Sequence, residues 1–385
     1  MSPAAAGPGR LRVMTIVGTR PEVVKMSRVL AELDAHTEHR LVHSGQNSDP
    51  ALSQVFFDEL ALRRPDHVLD AVGATTAETI GLVISRADAV LAREKPDAVV
   101  LYGDTNTCLA VIAAKRRQIP VFHLEAGNRS FDERVPEEIN RRLVDHLSDV
   151  NMPLTEHARR YLLAEGLRPE LVIKIGSPMR EVLEHYRPKI ERSRVLETLD
   201  LQPGGYFLVS AHREENVDPP ERLASLLETL NALARRYERR VIVSTHPRTR
   251  RRLEERGGAA REPDSRVEFL PPFGFPDYVR LETSAAAVLS DSGTLTEEAA
   301  ILGFPAVMIR DAHERPEGME AGVAVMAGLG SERVLEAVEL ARAHRADGVR
   351  PCGVPDYETS DVSRKVVRIV LGYTDYVNRT VWRKA

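Results

Sequence analysis

The sequence predicts an α/β protein made of two doubly wound domains with a ligand cleft between them. Three observations predict this class. Short β-branched runs alternate with helically periodic segments almost throughout, the pattern of parallel sheets covered by helices. The chain has 385 residues, more than one core ordinarily organises and well suited to two. Apolar residues make up 43% of it, with only 5% aromatics. Val, Leu, Ala and Ile carry most of that share, as in sheets buried beneath helices.

Taken in order, the first strand series covers residues 13–17, 40–43, 98–101, 121–124, 150–152 and 172–175. The second covers 207–210, 241–244, 267–270, 287–290 and 306–309. Helical periodicity fills 23–35, 76–93, 222–237 and 294–302. Each series reads as one domain, the first over 11–185 and the second over 186–360. The charged helix and turn over 179–205, ending in Gln202-Pro203-Gly204-Gly205, read as the hinge. Ligands of open parallel sheets bind beyond the carboxyl ends of the strands, so the cleft is the expected site. Residues 1–10 are rich in Ala, Gly and Pro without an apolar run. They read as a disordered tail, not a signal peptide. No run reaches the ~18 apolar residues of a membrane span, so no membrane partner and a cytoplasmic location are expected.

Net charge is −4, with acids and bases interspersed. No basic footprint for nucleic acid is present. The two cysteines, Cys108 and Cys352, are far apart and form no CxxC pair. A reducing compartment fits, with Cys108 as a small packing residue. The chain has no GxGxxG after a strand, no GxxxxGK[ST], no HExxH and no GxSxG. No NAD, other cofactor or metal is therefore expected, and the chain reads as one that binds a diphosphate without a metal cage.

Several strand ends carry chemistry. The first runs into Gly18-Thr19-Arg20-Pro21-Glu22, with Lys25 one turn on. A guanidinium beside a helix N-terminus suits an anion, and two surface cations at a helix start are the alternative. The strand over 98–101 leads to Gly103-Asp104-Thr105, where Asp104 either caps the next helix or faces the site. Glu125 follows a wholly apolar strand and has no capping pattern, which favours a functional role. In Pro136-Glu137-Glu138-Ile139-Asn140-Arg141 the spacing places Glu137 and Arg141 on one helix face, as a surface ion pair or as site residues. In the second half, the strand over 207–210 ends in Ala211-His212-Arg213-Glu214-Glu215, where His212 can donate or carry a proton. His246, before Pro247, reads more readily as structural. Ser290-Asp291-Ser292-Gly293-Thr294 takes a strand through hydroxyls and a glycine into a helix whose N–H groups suit phosphate oxygens. Glu298 lies one turn into that helix, where a carboxylate suits ribose hydroxyls, and Arg315 opens another helix.

Read together, GTRPE, GDT, HLEAG, PEEINRR, AHREEN, SDSGTLTEEA and HERPEG resemble, in order, the motifs of the non-hydrolysing UDP-N-acetylglucosamine 2-epimerase family, over residues 12–385. The resemblance implies a GT-B-like fold of two Rossmann-like domains, with a C-terminal helix over 361–385 packing back on the first. It implies a homodimer acting on a UDP-N-acetylhexosamine by elimination and re-addition of UDP through a 2-acetamidoglycal. Asp104, Glu125 and Glu137 are then the acid–base carboxylates, and His212 the catalytic histidine on the diphosphate side. Lys25 and Arg141 are catalytic-site cations. Arg20, Arg213, Phe273, Ser292, Gly293, Glu298 and Arg315 would bind UDP. The family's Gly-Gln-His reads Gly45-Gln46-Asn47 here, and its His-Arg-Arg-Glu reads His212-Arg213-Glu214-Glu215. Both departures argue against a second, activating UDP-sugar site. With Ala126-Gly127-Asn128-Arg129 and the stretch from Tyr373 to Trp382, they resemble the subgroup forming UDP-N-acetyl-L-fucosamine. UDP-GlcNAc to UDP-ManNAc epimerisation is the alternative within the family. A GT-B glycosyltransferase and a sugar-releasing, hydrolysing epimerase are the rivals outside it.

Overall fold

A computed structural model describes residues 9–45, 57–255, 263–348 and 353–384. Gln46, Asn47, Cys352 and most of the expected tail lie outside these residues. The chain forms two compact units, residues 1–182 with 359–385, and 183–358.

The first unit holds six parallel strands: β1 (Arg12–Val17), β2 (Glu38–His43), β3 (His67–Val68), β4 (Ala98–Tyr102), β5 (Val121–Leu124) and β6 (Val150–Met152), in the order β3-β2-β1-β4-β5-β6. The second holds β7 (Tyr206–Ser210), β8 (Arg240–Ser244), β9 (Val267–Leu270), β10 (Ala287–Ser290), β11 (Ala306–Met308) and β12 (Val325–Met326), in the order β12-β11-β10-β7-β8-β9. Numbered within each unit, both orders are the Rossmann order, which reverses direction between the first and fourth strands. The architecture is GT-B-like α/β: two parallel six-stranded sheets, each forming its own Rossmann-like unit.

Central strands are apolar along their length because both sheet faces are covered. Every residue of β4 is buried. In the first unit Met14, Ile16, Val99 and Leu101 pack with Val83, Ala87 and Leu91 of the helix Thr76–Glu94. The helices Arg20–His36 and Val362–Thr380 pack against each other. Val362, Val366, Val370 and Val377 are buried there, a helical stripe that makes the C-terminal segment part of the first unit. Trp382, the only tryptophan, follows that helix and lies under Lys115 at 4.8 Å. In the second unit separate clusters pack around Phe207, Val209 and Leu289 and around Leu208, Val288 and Met308, alternate residues of the same strands.

The structure differs from the sequence expectations in a few places. Residues 172–175 form only one bridge, Asn151 with Val172. The N–H groups of Ile173 and Ile175 reach the carbonyls of Asn151 and Pro153 at 2.8 and 3.0 Å, but the segment builds no ladder beyond that. Strands β3 and β12 have two residues each, too few for a periodic signal. The boundary between units falls inside the helix Met179–Glu191. The Gln202–Gly205 turn belongs to the second unit, where the Gly204 N–H donates to the Ser284 carbonyl at 2.7 Å.

Candidate functional site

Both sheets present their candidate residues at the reversal of strand order, where strand ends diverge and leave room for a ligand. In the first unit these ends belong to β1 and β4, with β5 alongside.

β1 turns through Gly18 and Thr19 into the helix Arg20–His36, which places Arg20 at its first position and Lys25 on its buried side. Buried Glu22 closes this turn. Its carboxylate accepts from the Gly18 N–H at 2.6 Å, the Thr19 N–H at 3.3 Å and the Thr105 hydroxyl at 2.6 Å. The β1 and β4 ends are thereby tied together. Burial outweighs these donors and pushes the Glu22 carboxyl up to about 7.

Glu125, just beyond β5, accepts from Lys25 Nζ at 3.0 Å, from the Tyr102 hydroxyl and from Asn128 Nδ2 at 3.3 Å. Its backbone lies at φ 63°, which costs a non-glycine residue about 1–3 kcal/mol and is typical of functional sites. Two residues on, Gly127 has no room for a side chain: an added Cβ would stand 2.4 Å from the Ala158 carbonyl oxygen.

Asp104 does not cap the following helical turn, Asn106–Ala110, whose preceding residue is Thr105. Its Oδ2 instead accepts from Arg141 Nε at 3.0 Å and from an Arg141 terminal nitrogen at 2.6 Å. From the same helix, Pro136–Leu147, Asn140 Nδ2 donates to the Asp104 carbonyl at 3.0 Å. From the same helix Glu138, three residues before Arg141, grips it at 2.7 Å. Fully buried Glu138 also accepts from the Ser130 N–H at 2.9 Å and the Phe131 N–H at 3.3 Å. Burial alone would raise its carboxyl, but these donors and the Arg141 charge bring it below the usual range. Glu137 sits half-buried in the first turn of the helix.

In the second unit β7 and β10 end side by side. Fully buried Asp291 accepts from the His212 N–H at 2.9 Å, the Arg213 N–H at 3.0 Å and Asn216 Nδ2 at 3.1 Å. His212 Nδ1 lies 3.0 Å from its Oδ1, which leaves Nε2 as the imidazole nitrogen for a ligand. Burial opposes ionisation of Asp291, but His212 and these donors overcome it and hold the carboxyl far below its usual range. The neighbouring His246 ring lies 5.6 Å from that of His212. Burial and the charges of His212 and Arg248 push His246 down to about 4, so it stays neutral near pH 7.

The β10 end makes the expected hydroxyl-lined turn. Ser292 Oγ lies 3.0 Å from Thr294 Oγ1, and Gly293 begins the helix Thr294–Leu302. A Cβ on Gly293 would stand 2.6 Å from Glu314 Oε1 and 3.4 Å from Arg315 Nε, so a larger residue there would displace the ends of these two side chains. Glu314 accepts from Arg213 at 3.3 Å and from buried Arg310 at 2.7 Å. Arg315 pairs with buried Glu297 at 3.3 Å. Glu298 is buried beside Glu282 on the helix Phe275–Ser284. Burial, then the charge and hydrogen bond of Glu298, push the Glu282 carboxyl well up. Half-buried Phe273 packs on the adjoining core.

Within the first unit the structure therefore joins Lys25 to Glu125, and Arg141 to Asp104. Within the second it gathers Arg213, Gly293 and Arg315 around the β10 turn, next to His212. The sequence reading missed Tyr102, Glu138, Asp291 and Arg310, which hold these groups. Of these, Asp291 carried a usable signal, an acid directly after an apolar strand. Among the described residues no cluster of three or more His, Cys, Asp or Glu could hold a metal ion. No helix among them is long and apolar enough to cross a membrane.

Fold and site together define a GT-B-like enzyme with carboxylate–cation pairs at the strand ends of one unit and a hydroxyl-lined turn before a helix in the other. The chain belongs to the UDP-N-acetylglucosamine 2-epimerase family, whose sequence model matches residues 31–371, and is accordingly an isomerase. A solved UDP-N-acetylglucosamine 2-epimerase from Rickettsia bellii is 53% identical, with a TM-score of 0.89 over 97% of this chain and 100% of that one. The Methanocaldococcus jannaschii UDP-GlcNAc 2-epimerase, solved in complex with UDP-GlcNAc and UDP, is 32% identical, with a TM-score of 0.86 over 94% and 100%. A UDP-2,3-diacetamido-2,3-dideoxy-D-glucuronate 2-epimerase from Pseudomonas aeruginosa is 33% identical over 332 residues, 85% of this chain and 91% of that protein.

Proposed function

We propose that the chain interconverts UDP-GlcNAc and UDP-N-acetylmannosamine without hydrolysis. The observation that carries this reading is the pair of strand-end carboxylates, each fixed by a cation: Glu125 by Lys25 at 3.0 Å and Asp104 by Arg141 at 2.6 Å. The hydrogen on C2 is not adjacent to a carbonyl, so direct abstraction is very hard. Departure of UDP from C1 makes it possible, provided that cations stabilise the leaving diphosphate and carboxylates handle the proton. Loss of the C2 proton and of UDP gives a 2-acetamidoglycal. UDP then adds back to C1 while a proton returns to C2 on the opposite face. In this reading Asp104, Glu125 and Glu137 serve C2. His212, Arg213, Arg315 and the Ser292-Gly293 turn serve the diphosphate with Arg20. Glu298 takes the ribose, and Phe273 lies with the nucleotide.

The names and complexes of the relatives support UDP-GlcNAc over the 6-deoxy-L-hexosamine expected from the two motif departures together with residues 126–129 and 373–382. Those stretches also have structural work that accounts for them without a particular sugar. Asn128 holds Glu125, Arg129 holds Asp145 and Glu165, and Trp382 lies under Lys115. Proton NMR of the purified chain with UDP-GlcNAc in D2O, without acceptor, tests the reading. The expected result is the C2 epimer with deuterium at C2 and no accumulation of free UDP. Turnover of only a 6-deoxy-L-talose substrate would restore the other assignment. Accumulating UDP would indicate hydrolysis, and a requirement for an acceptor would indicate a glycosyltransferase.

A further inference from the structure

Beneath the strand ends of the first unit lies a cluster of charged groups that the proposed chemistry does not touch. The side chains of His123, Arg129 and Asp145 are all fully buried. Asp145, inside the helix Pro136–Leu147, lies 2.9 Å from His123 Nδ1 and 2.7 Å from Arg129, and accepts the Gly127 N–H at 3.1 Å. His123 Nε2 is 2.7 Å from the Gly103 carbonyl. Arg129 runs on to Glu165 through two contacts of 2.7 Å, and Glu165 meets His146 at 3.0 Å.

Burying such a cluster is costly, and well-packed apolar residues are often at least as stabilising. Its placement supplies a reason for it. Gly103 precedes Asp104, and Gly127 follows Glu125 by two residues. Gly103, Glu125 and Gly127 all lie in the left-handed region, at φ 77°, 63° and 85°. A strained turn keeps its shape only where its surroundings over-determine it. Here one carboxylate holds the N–H of one turn and, through an imidazole, the carbonyl of the other. Burial alone would push His123 down, but the hydrogen bond and charge of Asp145 outweigh it and raise it. A carbonyl can only accept, so His123 Nε2 donates to Gly103.

We propose that Asp145, with His123 as its arm, is a positioning residue that fixes Asp104 and Glu125 relative to each other for the C2 proton steps. This deepens the epimerase reading and rests on it. The test compares wild type, Asp145→Asn and His123→Asn as full chains, on whichever UDP-N-acetylhexosamine the wild type turns over. A misplacement of about 1 Å costs on the order of 100-fold, so kcat should fall by about that factor. KM should stay within roughly threefold of wild type. UDP affinity by calorimetry should be unchanged, and C2–deuterium exchange should slow in step with kcat.

A purely structural role would lower Tm and the fraction of folded molecules, but leave kcat unchanged once molecules are counted by UDP-binding stoichiometry. A kcat within about twofold of wild type in either folded variant overturns the proposal. Failure of both variants to fold also overturns it, by making the cluster a folding element. Absence of C2 exchange in the wild type on every such substrate overturns the epimerase reading itself, and the positioning role with it.

Discussion

Glu22→Gln offers a direct test of how the β1 turn is built. The Glu22 carboxyl is buried, and its pKa rises from 4.5 to about 7 in the fold. Each unit is worth about 1.4 kcal/mol, so ionised Glu22 costs the first unit about 3 kcal/mol. Below pH 4.5 both folded and unfolded states are protonated, and the group imposes no penalty. As pH rises from 4.5 the unfolded chain ionises first, and stability falls until about pH 7, where the folded carboxyl ionises as well. Above that the loss is constant. Glutamine resembles the protonated acid: its carbonyl can accept from Gly18 and Thr19, and its amide can donate to the Thr105 hydroxyl. Wild type should therefore lose about 3 kcal/mol relative to Glu22→Gln between pH 4.5 and 7.5. Urea unfolding at a series of pH values measures this. Fluorescence of Trp382, the sole tryptophan and part of the first unit, isolates the relevant transition. A difference between the two proteins that stays constant within about 0.5 kcal/mol across that range would refute the argument. It would mean that the two backbone N–H groups and Thr105 hold the carboxylate ionised throughout.

Other outcomes follow from the site. Glu125→Gln should lower kcat by at least about 100-fold, the scale of general acid–base catalysis, with UDP binding by calorimetry largely intact; near-normal turnover removes Glu125 from the mechanism. Arg20→Ala should weaken UDP binding by about tenfold, the scale of one hydrogen bond to a charged group, and unchanged affinity would count against its phosphate role. The folded carboxyl of Asp291 titrates far below its unfolded value, so its contribution to stability is full above the unfolded pKa, about 4, and lost as pH falls below it. Wild type should thus lose more stability than Asp291→Asn on acidification from pH 5 to pH 2, as followed by circular dichroism; parallel losses would show that the carboxylate is not held by His212 and its neighbours.

The strand ends were legible because the apolar run of each strand breaks at or near Gly18, Gly103, Glu125, His212 or Asp291. What the spacing of residues along one helix could not give was the choice of partner. The i, i+4 rule selects Glu137 as the mate of Arg141, yet the fold also turns Arg141 onto Glu138 and onto Asp104, 37 residues away. Lys25 meets Glu125 across 100 residues. Tyr102 lies one residue past the strand expected over 98–101, and only the parallel pairing of β4 with β5 brings its hydroxyl to Glu125. Asp145 drew no reading from the sequence. Its burial depends on the helix crossing beneath two turns, a tertiary fact with no local signature.

The two units repeat one strand order while differing in what they place at the reversal. The fold supplies divergent strand ends, and the residues just past them decide the chemistry. In the first unit those residues are Arg20, Asp104 and Glu125, and the helices behind them carry the cations, Lys25 and Arg141. In the second they are His212 and Ser292-Gly293, with a carboxylate, Asp291, behind. The arrangement differs between the units: in one, Asp104 and Glu125 are held by cations behind them, and in the other an imidazole and N–H donors stand in front of an acid. The proposed elimination of UDP would use this division, since proton removal needs carboxylates whereas a departing diphosphate needs donors. In each unit the inner partner fixes the geometry of the outer group. Exchanging the inner partners should therefore impair turnover as severely as removing the outer groups themselves.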